Sequence, residues 1–196
     1  MKTVSRVLNN EPHVREELRK RVQGAAAALN YLPNQAARRL AGKRSFLIAY
    51  LYDNPNPAYV FAVQAGAARR CRELGCHLVV EPINSRSETS SDVIHRLMVM
   101  LAPDGIILTP PLSDNADLVA ALKRQNVRVA RIAGAVPGND IRIFMDEQGA
   151  GRSVTAHLLS LGHRRIGIIR GHPEHSAAAK RLDGYREALT AAGVRF

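Results

Sequence analysis

The sequence is poor in cysteine, in acidic side chains and in long apolar runs. Two cysteines among 196 residues are too few for a disulfide scaffold or a set of zinc knuckles. No apolar run reaches the length of about eighteen residues that a membrane span needs. The first residues, MKTVSRVLNNEPHV, lack the apolar stretch of a secretory signal. We therefore expect a soluble, cytoplasmic protein with no membrane partner.

The sequence also lacks the usual marks of an active site or a metal site. It contains no Walker A, GxSxG or HExxH motif. Four histidines between positions 157 and 175 show no metal-ligand spacing, and the two cysteines, five residues apart, are interpreted as inert thiols. We expect neither catalytic residues nor a metal or cofactor. An enzyme built on an α/β fold stays the weakest alternative, because fold alone does not exclude it.

The chain carries an excess of positive charge. Lys and Arg number 28 against 17 Asp and Glu, a net charge of +11. Residues 1–45 hold ten of the bases and three of the acids, so most of the excess is in the first quarter. A localised basic segment favours a nucleic-acid partner, although a solvated basic helix face is the alternative.

Three short helices are predicted in this basic quarter. Apolar residues recur at helical spacing in 3–9 and again in 15–29, with Pro12 between them. Asn34 then fits the N-cap of a two-turn helix over 35–41 that ends at Gly42. Such a short helix should not be stable alone.

From Phe46 onward, apolar strands alternate with helices. Strands are predicted at 45–52, 77–83, 104–110, 127–134, 141–146 and 164–171, with helices between most of them and a last helix over 177–192. This alternation predicts an α/β fold, a parallel sheet covered on both faces. Ligands of such sheets bind beyond the carboxyl ends of the strands. The candidate ligand-binding loops are therefore 52–58, 84–86, 110–114, 146–150 and 171–177.

Four segments together resemble the LacI/GalR family of bacterial transcriptional regulators. They are TVSRVLN, NYLPNQAARRLAGKRS, AHLLSLGHRRIGII and RLDGY, in the order and spacing of that family. The resemblance implies a helix-turn-helix headpiece with a hinge helix, then a two-lobed, type I periplasmic-binding-protein-like core. We expect the headpiece remnant and hinge in 1–45, the first lobe in 46–162 and the start of the second lobe in 163–196. The family has a further helix before a segment like 3–9 and more chain after one like 191–196, so we expect a chain truncated at both ends.

The resemblance places DNA-binding residues in the first helix. Thr3, Ser5 and Arg6 would lie on the helix that enters the major groove, with Arg6 reading guanine or contacting a phosphate. Ser5, Asn9 and His13 would bind phosphates, although His13 also fits an ordinary exposed histidine.

The hinge is implied to bind the minor groove. Tyr31, Asn34, Ala37 and Leu40 are its candidate DNA-binding residues, and Ala37, Leu40 and Ala41 match the family's minor-groove face. Leu40 would wedge into a central base step and kink the duplex, or it would simply anchor its helix.

The resemblance also places four effector-binding residues in the core. Asp53 and Asn54 follow the first strand, Asp146 follows the fifth, and Arg181 opens RLDGY. A guanidinium offers five donors, which suits a sugar hydroxyl or an anion, although Arg181 also fits a surface charge. Asp53 and Asp146 equally suit turn or cap positions.

Together these features predict a sequence-specific transcriptional regulator, a repressor in the first instance, controlled by a small effector such as a sugar. Its DNA partner would be a double-stranded, pseudo-palindromic operator, bound by a homodimer. The apolar face of the helix over 58–74 is the candidate dimer interface. The alternative is an effector-binding fragment that no longer binds DNA specifically, because its first helix-turn-helix helix is missing.

Overall fold

The computed structural model describes residues 2–8, 12–31, 44–134, 137–173 and 175–196. The chain forms two compact units, Met1–Arg44 and Ser45–Phe196. In the described residues no helix is both long and apolar enough to cross a membrane.

The first unit contains two described helices, α1 (Lys2–Leu8) and α2 (Glu16–Ala28), which contact each other. Val7 is 3% exposed and anchors α1. Glu16 and Glu17 lie in the first turn of α2, where carboxylates interact favourably with the helix dipole. Both helices agree with the sequence periodicity to within one or two residues.

The second unit is built on a five-stranded parallel sheet in the order β2-β1-β3-β4-β5. The strands are β1 (Leu47–Tyr52), β2 (His77–Pro82), β3 (Gly105–Leu108), β4 (Arg128–Ile132) and β5 (Ile141–Ile143). In the register, Tyr50 of β1 lies opposite Val80 of β2 and Ile107 of β3. The doubly covered parallel sheet predicted from the sequence is confirmed.

Five longer helices accompany the sheet in the described part of this unit. They are α3 (Pro57–Glu73), α4 (Ser90–Met100), α5 (Ala116–Arg124), α6 (Glu147–Ser160) and α7 (Ser176–Ala191). Side-chain caps fix the starts of four of them: Asn56, Thr89, Asn115 and Asp146 each accept backbone N–H groups of the first turn. The sequence offers Ser87 or Thr89 as the N-cap of α4, and in the structure Thr89 forms it.

The main apolar core lies between the sheet and helices α4 and α5. Ala49 and Leu51 of β1 and Ile106 and Leu108 of β3 alternate along their strands onto one face. Buried residues of both helices pack on them: Val93, Ile94, Leu97, Leu118, Val119 and Leu122. Helix α3 contacts β1 and β2 but contributes no residue to this core, as expected when right-handed crossovers place it on the opposite face of the sheet.

Helices α6 and α7 pack on each other through a second apolar cluster, which contains Leu182, Tyr185 and Leu189. Two glycines allow the close approach. A methyl group on Gly151 would collide with the backbone carbonyl of Arg181, and one on Gly184 would collide with that of Gln148.

The predicted sixth strand over 164–171 is wrong. No strand forms there, Ile169 is 99% exposed, and in the described residues the sheet ends at β5. The apolar, β-branched composition of RRIGIIRG favours extended backbone, but a strand also needs a neighbour for its hydrogen bonds. The Tyr185 hydroxyl instead donates to the Ile166 carbonyl at 2.7 Å, and Ile166 packs against the apolar cluster of α7.

Candidate functional site

The carboxyl ends of β1, β2 and β3 meet at one edge of the sheet, and the loops that follow them line a cavity of about 510 Å³. Asp53 and Asn54 come from the β1 loop, and Asn84 and Ser85 from the β2 loop. Pro111 comes from the loop after β3. Polar side chains therefore converge where parallel α/β sheets bind ligands.

Hydrogen bonds between the loops hold this edge together. Asp53 Oδ2 accepts the Ser85 backbone N–H at 3.0 Å and also the Ser85 hydroxyl. The Asn54 amide donates to the Pro110 carbonyl at 3.4 Å, and its oxygen accepts from the Asn56 N–H at 2.9 Å. The carboxylate and amide groups are thus oriented before any ligand arrives, which lowers the entropy that binding would cost.

Two histidines and an arginine add hydrogen-bond donors to the same cavity. His172 and His175 precede α7, and their rings lie with centroids 5.6 Å apart at an angle of 52°. Arg86 lies one residue beyond Ser85. Sequence reasoning identified loops 84–86 and 171–177 but not these side chains. The position of Arg86 after β2 was an available signal, whereas the two histidines follow 164–171, which forms no strand.

Asp146 and Arg181 do not line this cavity. Asp146 caps α6, its Oδ1 accepting the Gly149 N–H at 2.8 Å. Arg181 Nε donates to Glu147 Oε2 at 2.6 Å, with the arginine side chain 53% exposed and the glutamate 9%. The structure therefore brings Asp53 and Asn54 together and leaves Asp146 and Arg181 at the junction of α6 and α7.

In the first unit, α1 has one packed side and one open side. Val7 is buried, whereas Thr3, Ser5 and Arg6 are exposed. An exposed hydroxyl and guanidinium on a short helix are suitable groups for contacts to phosphates and base edges.

Other predicted DNA-binding residues follow α1. His13 is exposed and has a φ of 68°, the left-handed conformation in which His, Asn and Asp are enriched. Tyr31, just after α2, is 53% exposed. Asn9, Asn34, Ala37 and Leu40 lie outside the described residues.

Helix α2 carries a dense set of cations after its acidic first turn. Arg19, Lys20 and Arg21 are consecutive, and Arg15 precedes the helix. No residue of α2 is buried, so its cations lie at the protein surface or partly shielded by neighbours. In the described residues no group of three or more His, Cys, Asp or Glu side chains could hold a metal ion.

Two family models match the chain, one on each structural unit. "Bacterial regulatory proteins, lacI family" matches residues 1–34. "Periplasmic binding proteins and sugar binding domain of LacI family" matches residues 45–196, more than three quarters of the chain. The chain belongs to the LacI family. The resemblance found in the sequence is confirmed, and the division between the two models agrees with the boundary at Arg44.

Curated relatives of this LacI family member are transcriptional regulators. The lactose operon repressor of Escherichia coli strain K12 is 33% identical over 191 residues, covering 96% of this chain and 52% of the relative. The regulator CelR of Thermobifida fusca is 31% identical over 205 residues, covering 99% and 58%. The chain therefore spans little more than half the length of the curated relatives that it matches.

Solved structures of the family show the same fold. The lac repressor dimer bound to operator and the anti-inducer ONPF is 28% identical, with a TM-score of 0.74, over 99% of this chain and 59% of that one. A CelR-cellobiose complex is 29% identical, with a TM-score of 0.65, over 100% and 59%. The parallel sheet and its helices are thus those of the LacI family core.

Proposed function

We propose that this LacI family member is the DNA-binding and effector-sensing part of a transcriptional repressor. One observation carries the proposal: a single chain joins an exposed, basic helix pair to a parallel sheet whose carboxyl edge holds a preformed polar cavity. The helix pair would bind operator DNA, and the cavity would bind a small effector that changes the affinity for DNA.

DNA recognition is assigned to α1 and the hinge. Arg6 would read a guanine edge, while Ser5 and Thr3 bind neighbouring groups of the duplex. The cations of α2 would supply attraction to phosphates that is independent of sequence. In the hinge, Tyr31, Asn34, Ala37 and Leu40 would bind DNA, with Ala37 and Leu40 in the minor groove and Leu40 as the wedge.

The effector is assigned to the cavity beside Asp53 and Asn54. A carboxylate and an amide, both already oriented, suit the hydroxyl groups of a sugar. The cellobiose complex of CelR supports a sugar as the ligand class. We assign Asp146 and Arg181 a second set of contacts, in which Arg181 exchanges Glu147 for the effector.

The active form is proposed to be a cytoplasmic homodimer on a pseudo-palindromic operator, because two-fold symmetry of protein and operator go together. Helix α3 is the candidate interface. Its buried side holds Val60 and Cys71, while Phe61 stays 69% exposed. Aromatic side chains are enriched in protein interfaces, which makes the exposed Phe61 ring a candidate contact.

The test is selection of duplexes from a labelled random pool by the full chain, at two salt concentrations and against competitor DNA. We expect a palindromic consensus with a flexible central step. Arg6→Gln should weaken binding of the selected duplex by about 5- to 150-fold and relax one base preference, as loss of a bidentate guanine contact does. Arg124→Gln, on the exposed end of α5, is the matched control and should leave binding unchanged.

Weak binding that disappears with salt and selects no sequence would contradict the proposal. The chain would then be the effector-binding module considered as the alternative, with only its basic charge attracting DNA.

A further inference from the structure

The chain's two cysteines lie on either side of the turn that connects α3 to β2. Cys71 lies in the last turn of α3 and is 8% exposed. Cys76 is half-buried and directly precedes His77, the first residue of β2. Neither contributes to the DNA-binding residues or the effector cavity, and Cys71 lies on the buried side of α3, away from the exposed Phe61 of the candidate dimer interface.

The helix ends in a Schellman motif that makes the two cysteines partners. The Cys76 N–H donates to the Cys71 carbonyl at 2.8 Å, and the Gly75 N–H donates to the Arg72 carbonyl at 3.2 Å. Gly75 has a φ of 68°, the left-handed conformation that this motif requires. The side chains of the two residues joined by the longer-range bond commonly touch.

The hydrogen bond also limits the distance between the two α-carbons. With an N···O distance of 2.8 Å and standard bond lengths, the Cys71 and Cys76 α-carbons can be at most about 6.7 Å apart. Disulfides span about 4.4–6.8 Å between α-carbons, so this upper limit falls within the spacing of a bridged pair.

The environments of the two thiols differ. Burial raises the pKa of the Cys71 thiol above its usual range, and the neighbouring Cys76 thiol adds to the shift. Cys71 therefore stays protonated at neutral pH. Cys76 is the more exposed of the two residues, since it is only half-buried, and accessible thiols react first with oxidants.

We propose that Cys71 and Cys76 form a reversible intramolecular disulfide on exposure to hydrogen peroxide. The Cys76 thiolate attacks one peroxide oxygen, an S–O bond forms, the O–O bond breaks, and the departing hydroxide takes a proton to become water. Cys71 then attacks the Cys76 sulfur. The S–S bond forms, the S–O bond breaks, and the hydroxyl leaves with the Cys71 proton as a second water. The two sulfurs give up two electrons, which reduce the peroxide.

The disulfide would covalently link the end of α3 to the start of β2, the edge strand of the sheet. Because the six-residue loop is already closed by a backbone hydrogen bond, oxidation requires little movement of the chain. A dithiol reductant would reverse the reaction by thiol–disulfide exchange.

The full, reduced chain is treated with hydrogen peroxide, its remaining thiols are alkylated, and its mass is measured under denaturing conditions. We expect both free thiols to disappear in a monomeric product that is lighter by two hydrogen atoms. Trypsin cuts after Arg70 and Arg72 and so separates the cysteines. We therefore expect peptide 71–72 joined to peptide 73–86, and dithiothreitol should release the two.

Two variants distinguish the roles of the sulfurs. Cys71→Ser should stop at a sulfenic acid on Cys76 that a cyclic 1,3-diketone traps. Cys76→Ser should keep its Cys71 thiol under the same treatment. A folded native chain that retains both thiols, or that forms only disulfides between molecules, would overturn the proposal. Oxidation of Cys71 in Cys76→Ser at the rate of the native pair would overturn the assigned order of attack.

Discussion

Gly184, the glycine of RLDGY, should not tolerate a single methyl group. It lies in the middle of α7, where a Cβ would collide with the backbone carbonyl of Gln148 in α6. Backbone atoms cannot rotate away as a flexible side chain does, so the two helices would have to separate. Overpacking of this kind typically costs about 1–3 kcal/mol, and more where backbone is involved. The gain in helix propensity from glycine to alanine, about 1 kcal/mol, opposes it.

We therefore expect Gly184→Ala to destabilise the second unit by about 2 kcal/mol, a fall of roughly 4–8 °C in Tm for a chain of this size. Gly66→Ala is the control, because Gly66 also lies inside a helix of the same unit and a methyl group there would meet no atom within 4 Å. It should raise the stability by about 0.5–1 kcal/mol. Thermal unfolding followed by circular dichroism measures both. A Gly184→Ala chain as stable as Gly66→Ala would refute the close approach of α6 and α7.

Two further predictions concern the buried ion pair of Arg131 with Asp140 and the N-cap of α4. Arg131, fully buried, is bound through two nitrogens by Asp140, which is 5% exposed, so Asp140→Ala should cost about 3–5 kcal/mol in urea unfolding. Burial would raise the pKa of the Asp140 carboxyl, but the Arg131 hydrogen bonds hold it below its usual value. This carboxyl therefore stabilises the fold above about pH 4 and loses that effect as the pH falls through its lowered pKa, so acid unfolding should be less steep in Asp140→Ala. Thr89→Ala, which removes the capping box of α4, should cost about 1 kcal/mol, whereas Ser87→Ala should change the stability by less than about 0.5 kcal/mol. Equal losses for the two variants would refute the assigned cap.

Local patterns in the sequence were sufficient for most of the fold. The buried runs that became β1 and β3 are continuous and apolar, and α3–α6 each begin after a residue with a capping side chain. The segment 164–171 shows the limit of this reasoning. Its composition is that of a strand, yet pairing depends on a neighbour that composition does not reveal.

The candidate site could likewise be predicted only in part from the sequence. Asp53 and Asn54 could be placed at the sheet edge because they directly follow a strand, and strand ends converge. His172 and His175 could not, since their position depends on how α7 packs against the rest of the unit. Arg181 has a partner, Glu147, that comes 34 residues earlier in the chain, and no local pattern connects the two. The cysteine pair could not be recognised either, because a spacing of five acquires meaning only once the Schellman turn is seen.

Control of DNA binding from the cavity is tested most directly by the affinity of the full chain for its selected duplex, measured with and without a panel of sugars that includes cellobiose and lactose. We expect at least one sugar to change the Kd by about 5- to 150-fold, the usual range for coupled sites. We also expect Asp53→Ala to remove the response while binding of DNA alone stays intact. A Kd that no sugar alters, or a response that survives in Asp53→Ala, would contradict control of DNA binding from this cavity.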